Sequence, residues 1–360
     1  MDNGISIYPG LDNTLEENID LIERAHHCGF RRIFTSLHIP ETNYDALKSE
    51  LSDLLRTARR CDMEVISDIS PATMELLGIR EFSSSAFRML GITTLRLDYG
   101  FGLEEIAELT RNKLGLRIQL NASTITGRML SALMELKADF HQLDALHNFY
   151  PRRGTGISEE FMVRKTMMLH KLGIKTGAFV PSQHRRRSPL KDGLPTLEDH
   201  REESADLAAR HLIALGIDSV FIADSLPSDD ELQLVGSLTD DLVTLQARLL
   251  TGNTFQQKLL SHTFTARPDE ARDAIRASES RDLLKKLDGI IQPDNTIIRP
   301  IGAITIDNQQ YQRYMGELQI IRTPQEADAR TNVAAIVDEN EVNLLQYITP
   351  GRKFSFRFHK

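Results

Sequence analysis

The sequence of 360 residues contains no apolar run that approaches the ~20 residues needed to span a membrane. Its first residues, MDNGISIYPG, include neither the basic start nor the apolar core of a secretory signal peptide. We therefore expect a cytoplasmic protein. Cys28 and Cys61 are the only cysteines, and both fall at the ends of helical patterns, which favours two idle thiols over a disulfide or a metal pair.

Long basic tracts are also missing, and the formal net charge of -8 argues against a nucleic-acid-binding protein. Metal-ligand spacings such as H-x-H and H-E-x-x-H are absent. A catalytic zinc is therefore disfavoured, and we predict neither a metal nor another cofactor. Basic residues are instead concentrated in a few short loops, and this concentration is the first indication of a binding site.

A repeated pattern organises the first two thirds of the chain. Five segments end a helix-like stretch at a glycine and continue into a hydrophobic strand: HCGFRRIFTSL, MLGITTLRLDY, KLGLRIQLNAS, KLGIKTGAFVP and ALGIDSVFIAD. Glycine often follows a helix because it adopts positive φ without a Cβ clash, while β-branched and aromatic residues favour strands. RCDMEVISDIS and KADFHQLDAL use aspartate at the same junction, and the chain begins with the strand-like GISIYP. Strands are predicted near residues 4–9, 31–38, 63–69, 93–99, 116–122, 139–149, 175–181 and 218–224.

Helix-like segments separate these eight predicted strands. Thr14 and Glu17 form a capping box before a helix over 14–27, residues 44–59 place apolar side chains at helical spacing, and Ser158 can cap a further helix. Eight βα units with near-continuous apolar strands predict a parallel sheet that closes into a (β/α)8 TIM barrel. The alternative, a doubly wound open sheet, lacks a supporting G-x-G-x-x-G after the first strand.

The pattern changes after about residue 250. LLSHTFTA, TIIRPIGAITI, YMGELQII, NVAAIVD and KFSFRF are strand-like, and one piece, residues 267–285, is helix-like. A series of short strand-like segments of this kind is typical of a small β-barrel or sandwich. We therefore predict a barrel domain over residues 1–250, whose last helix and linker occupy 228–250, and a small all-β domain over 251–360.

Every predicted strand of the barrel ends in polar residues. In such a barrel the active site lies at the C-terminal ends of the strands, so these residues are candidates for binding or catalysis. They are Tyr8, His38, Asp68, Asp98, Asn121, His147, Asn148, Ser182 and Asp224. Asp68 and Asp224 could instead cap a helix or loop, and His38 could be a structural histidine, but a structural role for all of them is less expected.

Carboxylates at this edge of the barrel indicate a type of chemistry. Asp98, in LRLDYG, closes the fourth strand, and the loop after the seventh strand supplies Glu198. Two carboxyl groups facing a pocket suit glycoside cleavage, in which one protonates the leaving oxygen and the other attacks the sugar carbon or activates water. We predict Asp98 as the ionised catalytic carboxylate, with Glu198 or Asp224 as its partner and Asp68 as a third choice. TLEDHR could alternatively be a helix start capped by Thr196, without a role in catalysis.

Two basic loops follow the sixth and seventh predicted strands. HNFYPRRGTGIS, residues 147–158, ends at a predicted helix start, where backbone N–H groups and the helix dipole add to the guanidinium groups of Arg152 and Arg153. HRRRSP, residues 184–189, includes Arg187. Two cationic loops in an acidic protein predict a small bound anion, most simply a phosphate on the substrate, although some of these arginines could be solvated surface charges.

These segments together resemble a known family. GISIYPG, FTSLHIPE, LRLDYGF, LNAST, HNFYPRRGTGIS, GLPTLEDHR, IRPIGAITIDNQQYQRYMGELQI and TPGRKFSF are similar to the bacterial 6-phospho-N-acetylmuramidases, over about residues 3–358. The resemblance implies a (β/α)8 barrel followed by a cyclophilin-like β-domain. It also implies hydrolysis of a disaccharide whose non-reducing sugar is N-acetylmuramic acid 6-phosphate, during recovery of cell-wall fragments. The lactyl carboxylate of that sugar would need a second cation.

Two positions depart from the family pattern. The loop after the seventh strand contains Arg187-Ser188-Pro189-Leu190 where the pattern is R-G-P-L, and IAD replaces IGD before Ser225. Both departures are consistent with a tighter loop or an altered substrate preference.

The second predicted domain contributes candidates of its own. Arg299 and Glu317 lie in the segments that carry the resemblance, and we include them among the predicted binding residues. IDNQQYQRYMGELQI is more polar than a supporting domain requires, so we expect residues 300–320 to face the strand ends of the barrel. An ordinary polar β-surface is the alternative.

The predicted partner is a small phosphorylated amino-sugar disaccharide, with no nucleic acid and no membrane, and a homodimer is one option for the oligomeric state. A non-catalytic protein that binds or senses phosphosugars is the alternative function. A phosphosugar aldolase or isomerase is disfavoured because it would need a Schiff-base lysine or a metal cluster at a strand end, and no predicted strand ends in lysine.

Overall fold

The computed structural model describes residues 1–37, 39, 41–69, 84–97, 100–238 and 241–359. The chain divides into two compact units, Met1–Asp240 and Asp241–Lys360. The first unit is built on an eight-stranded barrel and the second on a seven-stranded sheet.

The first unit is a closed barrel of parallel strands, as predicted. The strands are β1 (Gly4–Ile7), β2 (Arg32–Ser36), β3 (Glu64–Ile69), β4 (Thr94–Leu97), β5 (Arg117–Asn121), β6 (Leu143–Leu146), β7 (Thr176–Val180) and β8 (Ser219–Ile222). Neighbours in this order pair with each other, and β1 also pairs with β8 through Gly4↔Phe221 and Ile5↔Ile222, which closes the sheet. Strands covered on both faces need apolar residues at successive positions, which explains the near-continuous apolar runs.

Helices alternate with these strands. They are α1 (Leu15–His27), α2 (Tyr44–Arg60), α3 (Ser84–Leu90), α4 (Leu103–Leu109), α5 (Gly127–Glu135), α6 (Glu159–His170), α7 (Ala205–Ala214) and α8 (Asp229–Gly236), with 3-10 turns at Phe140–Gln142 and Glu198–His200. The predicted capping box of Thr14 and Glu17 begins α1, and the Ser158 side chain accepts the Phe161 N–H at the start of α6. Both predicted helix starts are therefore confirmed.

The barrel has separate apolar clusters on its two faces. Ile33 and Val65 belong to the large cluster formed with the helices, whereas their sequence neighbours Phe34 and Ile66 belong to a smaller cluster. Successive side chains of a strand point to opposite faces, so the smaller cluster fills the interior. There, Phe179 lies 5.2 Å from Phe34, measured between ring centroids, although their strands β7 and β2 are not neighbours. This packed aromatic layer closes the barrel below its C-terminal strand ends.

The second unit is built mainly from strands. They are β9 (Val243–Leu249), β10 (Phe264–Thr265), β11 (Ala274–Arg276), β12 (Ala303–Asp307), β13 (Leu318–Ile321), β14 (Thr331–Val337) and β15 (Lys353–His359), in the order β10-β15-β9-β14-β12-β13-β11. β9 and β15 are parallel and the other pairs are antiparallel. Two helices, α9 (Thr254–Leu260) and α10 (Ser280–Lys286), and 3-10 segments at Gln309–Tyr314 and Glu339–Tyr347 complete it.

Two details of the predicted second domain are wrong. The linker expected up to residue 250 contains β9, which pairs with β14 and β15, so the boundary lies at Asp240 and Asp241. The helix expected over 267–285 is confined to α10, because residues 274–276 pair with β13 as a strand. Pairing with a neighbouring strand overrides a weak local helical pattern, which the sequence alone does not reveal.

Candidate active site

A cavity of about 290 Å³ lies at the C-terminal ends of the barrel strands. It is lined by Phe34, Ser36, Ile39, Glu41, Asp68, Arg96, Asn148, Phe149, Phe179 and Arg187. Ser36 is the last residue of β2, and Asn148 lies two residues beyond β6. The cavity therefore occupies the place where barrel enzymes carry their active sites.

A second cavity, of about 360 Å³, opens at the opposite end of the barrel and is lined by Arg32, Glu64, Arg117 and Asp144 among others. Three of its charged residues already form ion pairs, since Arg32 contacts Glu64 at 2.7 Å and Asp144 at 2.6 Å. The N-terminal end of a barrel generally serves stability. We therefore take the cavity at the C-terminal strand ends as the candidate site.

A buried polar network forms one wall of the candidate site. Arg96 Nη1 lies 2.5 Å from Asp68 Oδ1, and its Nη2 donates to Asn148 Oδ1. Asn121 Nδ2 donates to the same oxygen at 3.1 Å. The guanidinium also packs over the ring of Phe34. The network brings together three residues predicted from the sequence, Asp68, Asn121 and Asn148, around an arginine that the sequence analysis did not select.

Arg187 lies in another wall and is only 8% exposed. Its guanidinium packs 4.9 Å from the centroid of the Tyr8 ring and 5.1 Å from that of Phe149. Among the described residues, no acceptor bonds this guanidinium, and its Nε is buried without a partner. A buried cation that has lost water without gaining an acceptor is costly, so this position favours an anionic ligand.

Asp224 holds the loop that carries Arg187. Its Oδ1 accepts the Arg187 N–H at 2.9 Å, and its Oδ2 accepts the N–H groups of Ser182 at 2.9 Å and Leu194 at 3.3 Å. The side chain is fully buried, and burial raises its pKa to about 6. With both oxygens occupied by backbone donors, Asp224 is placed to fix the loop rather than to exchange protons with a substrate.

Glu198 likewise organises a loop. Its carboxylate accepts two hydrogen bonds of 2.7 Å from Arg201 and the N–H groups of Gly154 and Gly156 at 2.8 and 2.7 Å. The bonds from Arg201, followed by those from the two glycines, lower its pKa to about 2. A carboxyl that is this acidic cannot keep a proton for the leaving group near neutral pH. The role of Glu198 as proton donor therefore does not fit this geometry. The alternative of a helix start is met by the 3-10 turn Glu198–His200, but the predicted cap is wrong, because the N-cap residue is Leu197 and the Thr196 hydroxyl instead donates to the Asn148 carbonyl.

The loop HNFYPRRGTGIS is thus held together by its own contacts. Arg153 Nη2 forms an exposed ion pair of 2.6 Å with Glu202, while Arg201 donates to the carbonyl oxygen of Arg152. A Cβ on Gly156 would lie 2.7 Å from the Glu198 carboxylate, so only glycine fits there. Arg152 and Arg153 lie on an exposed surface, and phosphate binding by them stays a prediction.

Four further residues were predicted at the strand ends of the barrel, and the structure describes two of them, His147 and Tyr8. His147 is fully buried between the hydroxyls of Ser123 and Thr166, and burial lowers its pKa to about 3, which favours a structural role for the neutral imidazole, and its contact with a substrate stays a prediction. Tyr8 donates its hydroxyl to the Ala223 carbonyl at 2.7 Å, and burial raises its pKa to about 12. His38 and Asp98 lie outside the described residues.

The candidates in the second unit are bonded within that unit. Arg299 Nε donates to the Glu326 carbonyl at 3.0 Å. Glu317 is buried, with Oε1 at 2.7 Å from Arg276 and Oε2 at 3.9 Å from Arg281. The expectation that residues 300–320 face the barrel's strand ends stays a prediction.

Asp307 lies beside Glu317 and should make stability depend on pH. Burial raises the pKa of Asp307 from 3.8 to about 7, and the charge of Glu317 adds to the rise. Because the folded chain binds this proton more tightly than the unfolded chain, the free energy of unfolding falls as pH rises from about 4 to about 7. Asp307→Asn is therefore expected to stabilise the protein at pH 8, by up to about 4 kcal/mol, and much less near pH 4.

Denaturant unfolding at both pH values measures this difference. Asp328 is a control of opposite sign, because hydrogen bonds from Arg330 lower the pKa of Asp328 to about 2. Its stabilising contribution is present above about pH 4 and is lost as pH falls toward 2, so Asp328→Asn should not stabilise the protein at pH 8. An Asp307→Asn variant that gains no stability at pH 8 would contradict the assignment.

Glu41 and Arg96 were missed by the sequence analysis. Glu41 lies beyond β2 in FTSLHIPE, and no described residue bonds its carboxylate. A signal for Arg96 was available, since it stands two residues before Asp98 and alternate residues of a strand share a face. Glu41 had no comparable signal, because it lies in a loop whose course periodicity does not give.

No helix in the described part of the chain is long and apolar enough to cross a membrane. Within the same residues, no group of three or more histidine, cysteine, aspartate or glutamate side chains is arranged to hold a metal ion.

The chain is a two-unit protein, a (β/α)8 barrel followed by a separate β-unit. Its charged cavity lies at the C-terminal strand ends of the barrel, where barrel enzymes carry their active sites. Residues 3–237 match the family model of the N-terminal part of 6-phospho-N-acetylmuramidase, and residues 243–357 match that of its C-terminal part. The chain belongs to the 6-phospho-N-acetylmuramidase family.

Two solved structures are similar to this chain over nearly its whole length. An uncharacterized protein from B. cereus is 31% identical, with a TM-score of 0.85 and coverage of 99% of this chain and 100% of that one. A conserved protein of unknown function from Enterococcus faecalis is 32% identical, with a TM-score of 0.72 and coverage of 100% of this chain and 97% of that one. Comparison with curated proteins gave no match.

Proposed function

We propose that the protein is a glycoside hydrolase that releases N-acetylmuramic acid 6-phosphate from the non-reducing end of a disaccharide during cytoplasmic recovery of cell-wall fragments. The observation that carries the proposal is the cavity at the barrel's C-terminal strand ends, which combines two carboxylates with an unbonded buried guanidinium. The match of both units to the family supports the same substrate class.

The two carboxylates differ in their surroundings. Asp68 is buried and its charge is balanced by Arg96, whereas Glu41 is exposed and no described residue bonds it. Glycoside cleavage needs one ionised carboxylate that attacks or stabilises the sugar carbon and one carboxylic acid that protonates the leaving oxygen. We assign the first role to Asp68 and the second to Glu41.

Asp98 remains a competitor for the first role. It follows Leu97, the last residue of β4, and β4 pairs with β3, which carries Asp68. Of the partners proposed for Asp98 from the sequence, Glu198 and Asp224 do not line the cavity, whereas Asp68 does. The proposal therefore gives Asp68, which the sequence analysis named only as the third-choice partner of Asp98, the role of the ionised carboxylate.

Turnover of a chromogenic glycoside tests the proposal. We expect the aryl glycoside of N-acetylmuramic acid 6-phosphate to be cleaved, and its unphosphorylated counterpart to be cleaved far more slowly, because binding energy of a remote group accelerates the reaction. Tight binding of N-acetylmuramic acid 6-phosphate without turnover would instead support the non-catalytic phosphosugar-binding alternative. Absence of both would exclude this substrate class.

A further inference from the structure

We infer that Arg187 selects the substrate by binding the carboxylate of its lactyl ether, while the phosphate is held elsewhere. The inference rests on the proposed function, since N-acetylmuramic acid 6-phosphate carries two anionic groups and the proposal has to distribute them. It goes beyond that function by naming the residue that separates muramic acid substrates from glucosamine substrates, which lack the lactyl ether.

Arg187 is built to receive a ligand rather than to stabilise the loop. Arg186 and Arg185, its neighbours in the chain, pair with Glu202 at 3.0 Å and with Glu17 at 2.9 Å on the surface. Arg187 alone of these three lines the cavity and lacks an acceptor among the described residues. Leaving a buried guanidinium unbonded destabilises the free protein, and a ligand carboxylate would relieve that cost.

The loop also holds Arg187 in advance of binding. Asp224 accepts the N–H of Arg187, and Asp12 Oδ2 accepts the N–H of Ser188 at 2.9 Å and the hydroxyl of Ser225 at 2.6 Å. Ser188 is one of the two departures from the family pattern, and it is anchored here through its backbone. A preorganised donor loses little conformational entropy on binding, which increases its contribution to affinity.

The charges of the described lining favour a carboxylate over a phosphate. Asp68 and Arg96 form an ion pair, so Arg187 supplies the one further guanidinium of the described lining, beside the carboxyl of Glu41. A single guanidinium matches the charge of a carboxylate, -1. A phosphate monoester carries about -1.5 to -2 and would bring excess negative charge beside two carboxyl groups.

The planar shape of the Arg187 guanidinium also favours a carboxylate over a phosphate. The rings of Tyr8 and Phe149 pack against the Arg187 guanidinium and keep water away from it. Guanidinium N–H groups form a planar fork that matches a carboxylate through two parallel hydrogen bonds. The same rings can contact the methyl group of a lactyl ether, which a phosphate does not offer.

Three aryl glycosides test the inference: 6-phospho-N-acetylmuramic acid, 6-phospho-N-acetylglucosamine, and N-acetylmuramic acid without phosphate. Arg187→Met should lower kcat/KM on the first by roughly 10- to 150-fold, as for a lost charge-assisted hydrogen bond, and on the second by less than about twofold. Arg187→Lys, which keeps the charge but not the fork, should fall between wild type and Arg187→Met on the first glycoside. Arg56→Met, on the exposed face of α2, is the control for loss of an arginine.

Two kinetic outcomes overturn the inference. Equal losses on both phosphorylated glycosides, with none on the unphosphorylated one, would assign Arg187 to the phosphate. Equal losses on all three would make Arg187 structural.

If the wild type cleaves none of the three glycosides, calorimetry that measures binding of the free sugars tests the inference instead. Tighter binding of N-acetylmuramic acid 6-phosphate than of N-acetylglucosamine 6-phosphate, abolished by Arg187→Met, would support the inference although hydrolysis had failed. No difference between the two sugars would refute it.

Discussion

Asp68→Asn is expected to lower kcat on 6-phospho-N-acetylmuramic glycosides by about three orders of magnitude or more, with little change in KM. The variant keeps the shape of the side chain and an oxygen that can accept from Arg96, but it removes the negative charge that stabilises a developing oxocarbenium centre. A group that acts only in the transition state affects kcat more than binding. Steady-state kinetics on the chromogenic substrate measures both constants.

Stability must be separated from catalysis in this experiment, because the change also disturbs a buried ion pair. Asp144 offers a matched control at the other end of the barrel. Its carboxylate pairs with Arg32 at 2.6 Å with side chains 7% and 9% exposed, compared with 9% and 4% for Asp68 and Arg96. Asp144→Asn should therefore destabilise the fold similarly, within the several kcal/mol typical of a broken buried pair, and leave kcat unchanged in the folded enzyme.

The competing assignment to Asp98 gives a different result. If Asp68→Asn retains more than a tenth of the wild-type kcat while Asp98→Asn loses several orders of magnitude, Asp98 is the ionised catalytic carboxylate. Asp68 would then serve to hold Arg96 and, through it, Asn148. Large losses in both variants would mean that both carboxylates act on the reacting sugar.

The barrel could be derived from the sequence because its signals are local. Each αβ junction combines a glycine that needs positive φ with a strand of apolar residues, as at Gly29, Gly91 and Gly216, where the φ angles are 100°, 99° and 93°. Such signals depend on neighbouring residues alone. The second unit was harder to predict from the sequence, since β9 becomes a strand by pairing with β14 and β15, which both lie far later in the chain.

The candidate site could be located from the sequence but not resolved into roles. A strand end identifies which residues lie at the barrel mouth, and Asp68, Asn121 and Asn148 were found in this way, whereas Arg187 was found from the basic composition of its loop. The position at a strand end does not show whether a carboxylate faces the cavity, as Asp68 does, or accepts backbone N–H groups, as Asp224 does. Roles depend on hydrogen bonds between distant segments, which composition and spacing do not encode.

Glu41→Gln is expected to distinguish substrates by their leaving groups. On a natural disaccharide, whose leaving sugar hydroxyl needs a proton, kcat/KM should fall by about 10²- to 10⁴-fold, the contribution typical of general acid catalysis. On an aryl glycoside with a strongly acidic phenol, which departs without protonation, the first step should be nearly unaffected. Comparing the two substrates with wild type and variant measures the difference.

A matched exposed glutamate controls for loss of charge. Glu160 lies on the outer helix α6 with its side chain 90% exposed, and Glu160→Gln should leave both substrates unaffected. Equal losses on both substrates in Glu41→Gln would remove Glu41 from proton donation and leave it a binding role. The acid would then have to be sought among the residues near the strand ends that the sequence analysis named, with Asp98 first. The same leaving-group comparison, made with a variant of Asp98, would then identify the acid. Only the loss of a proton donor makes the decrease in kcat/KM depend on the acidity of the departing group.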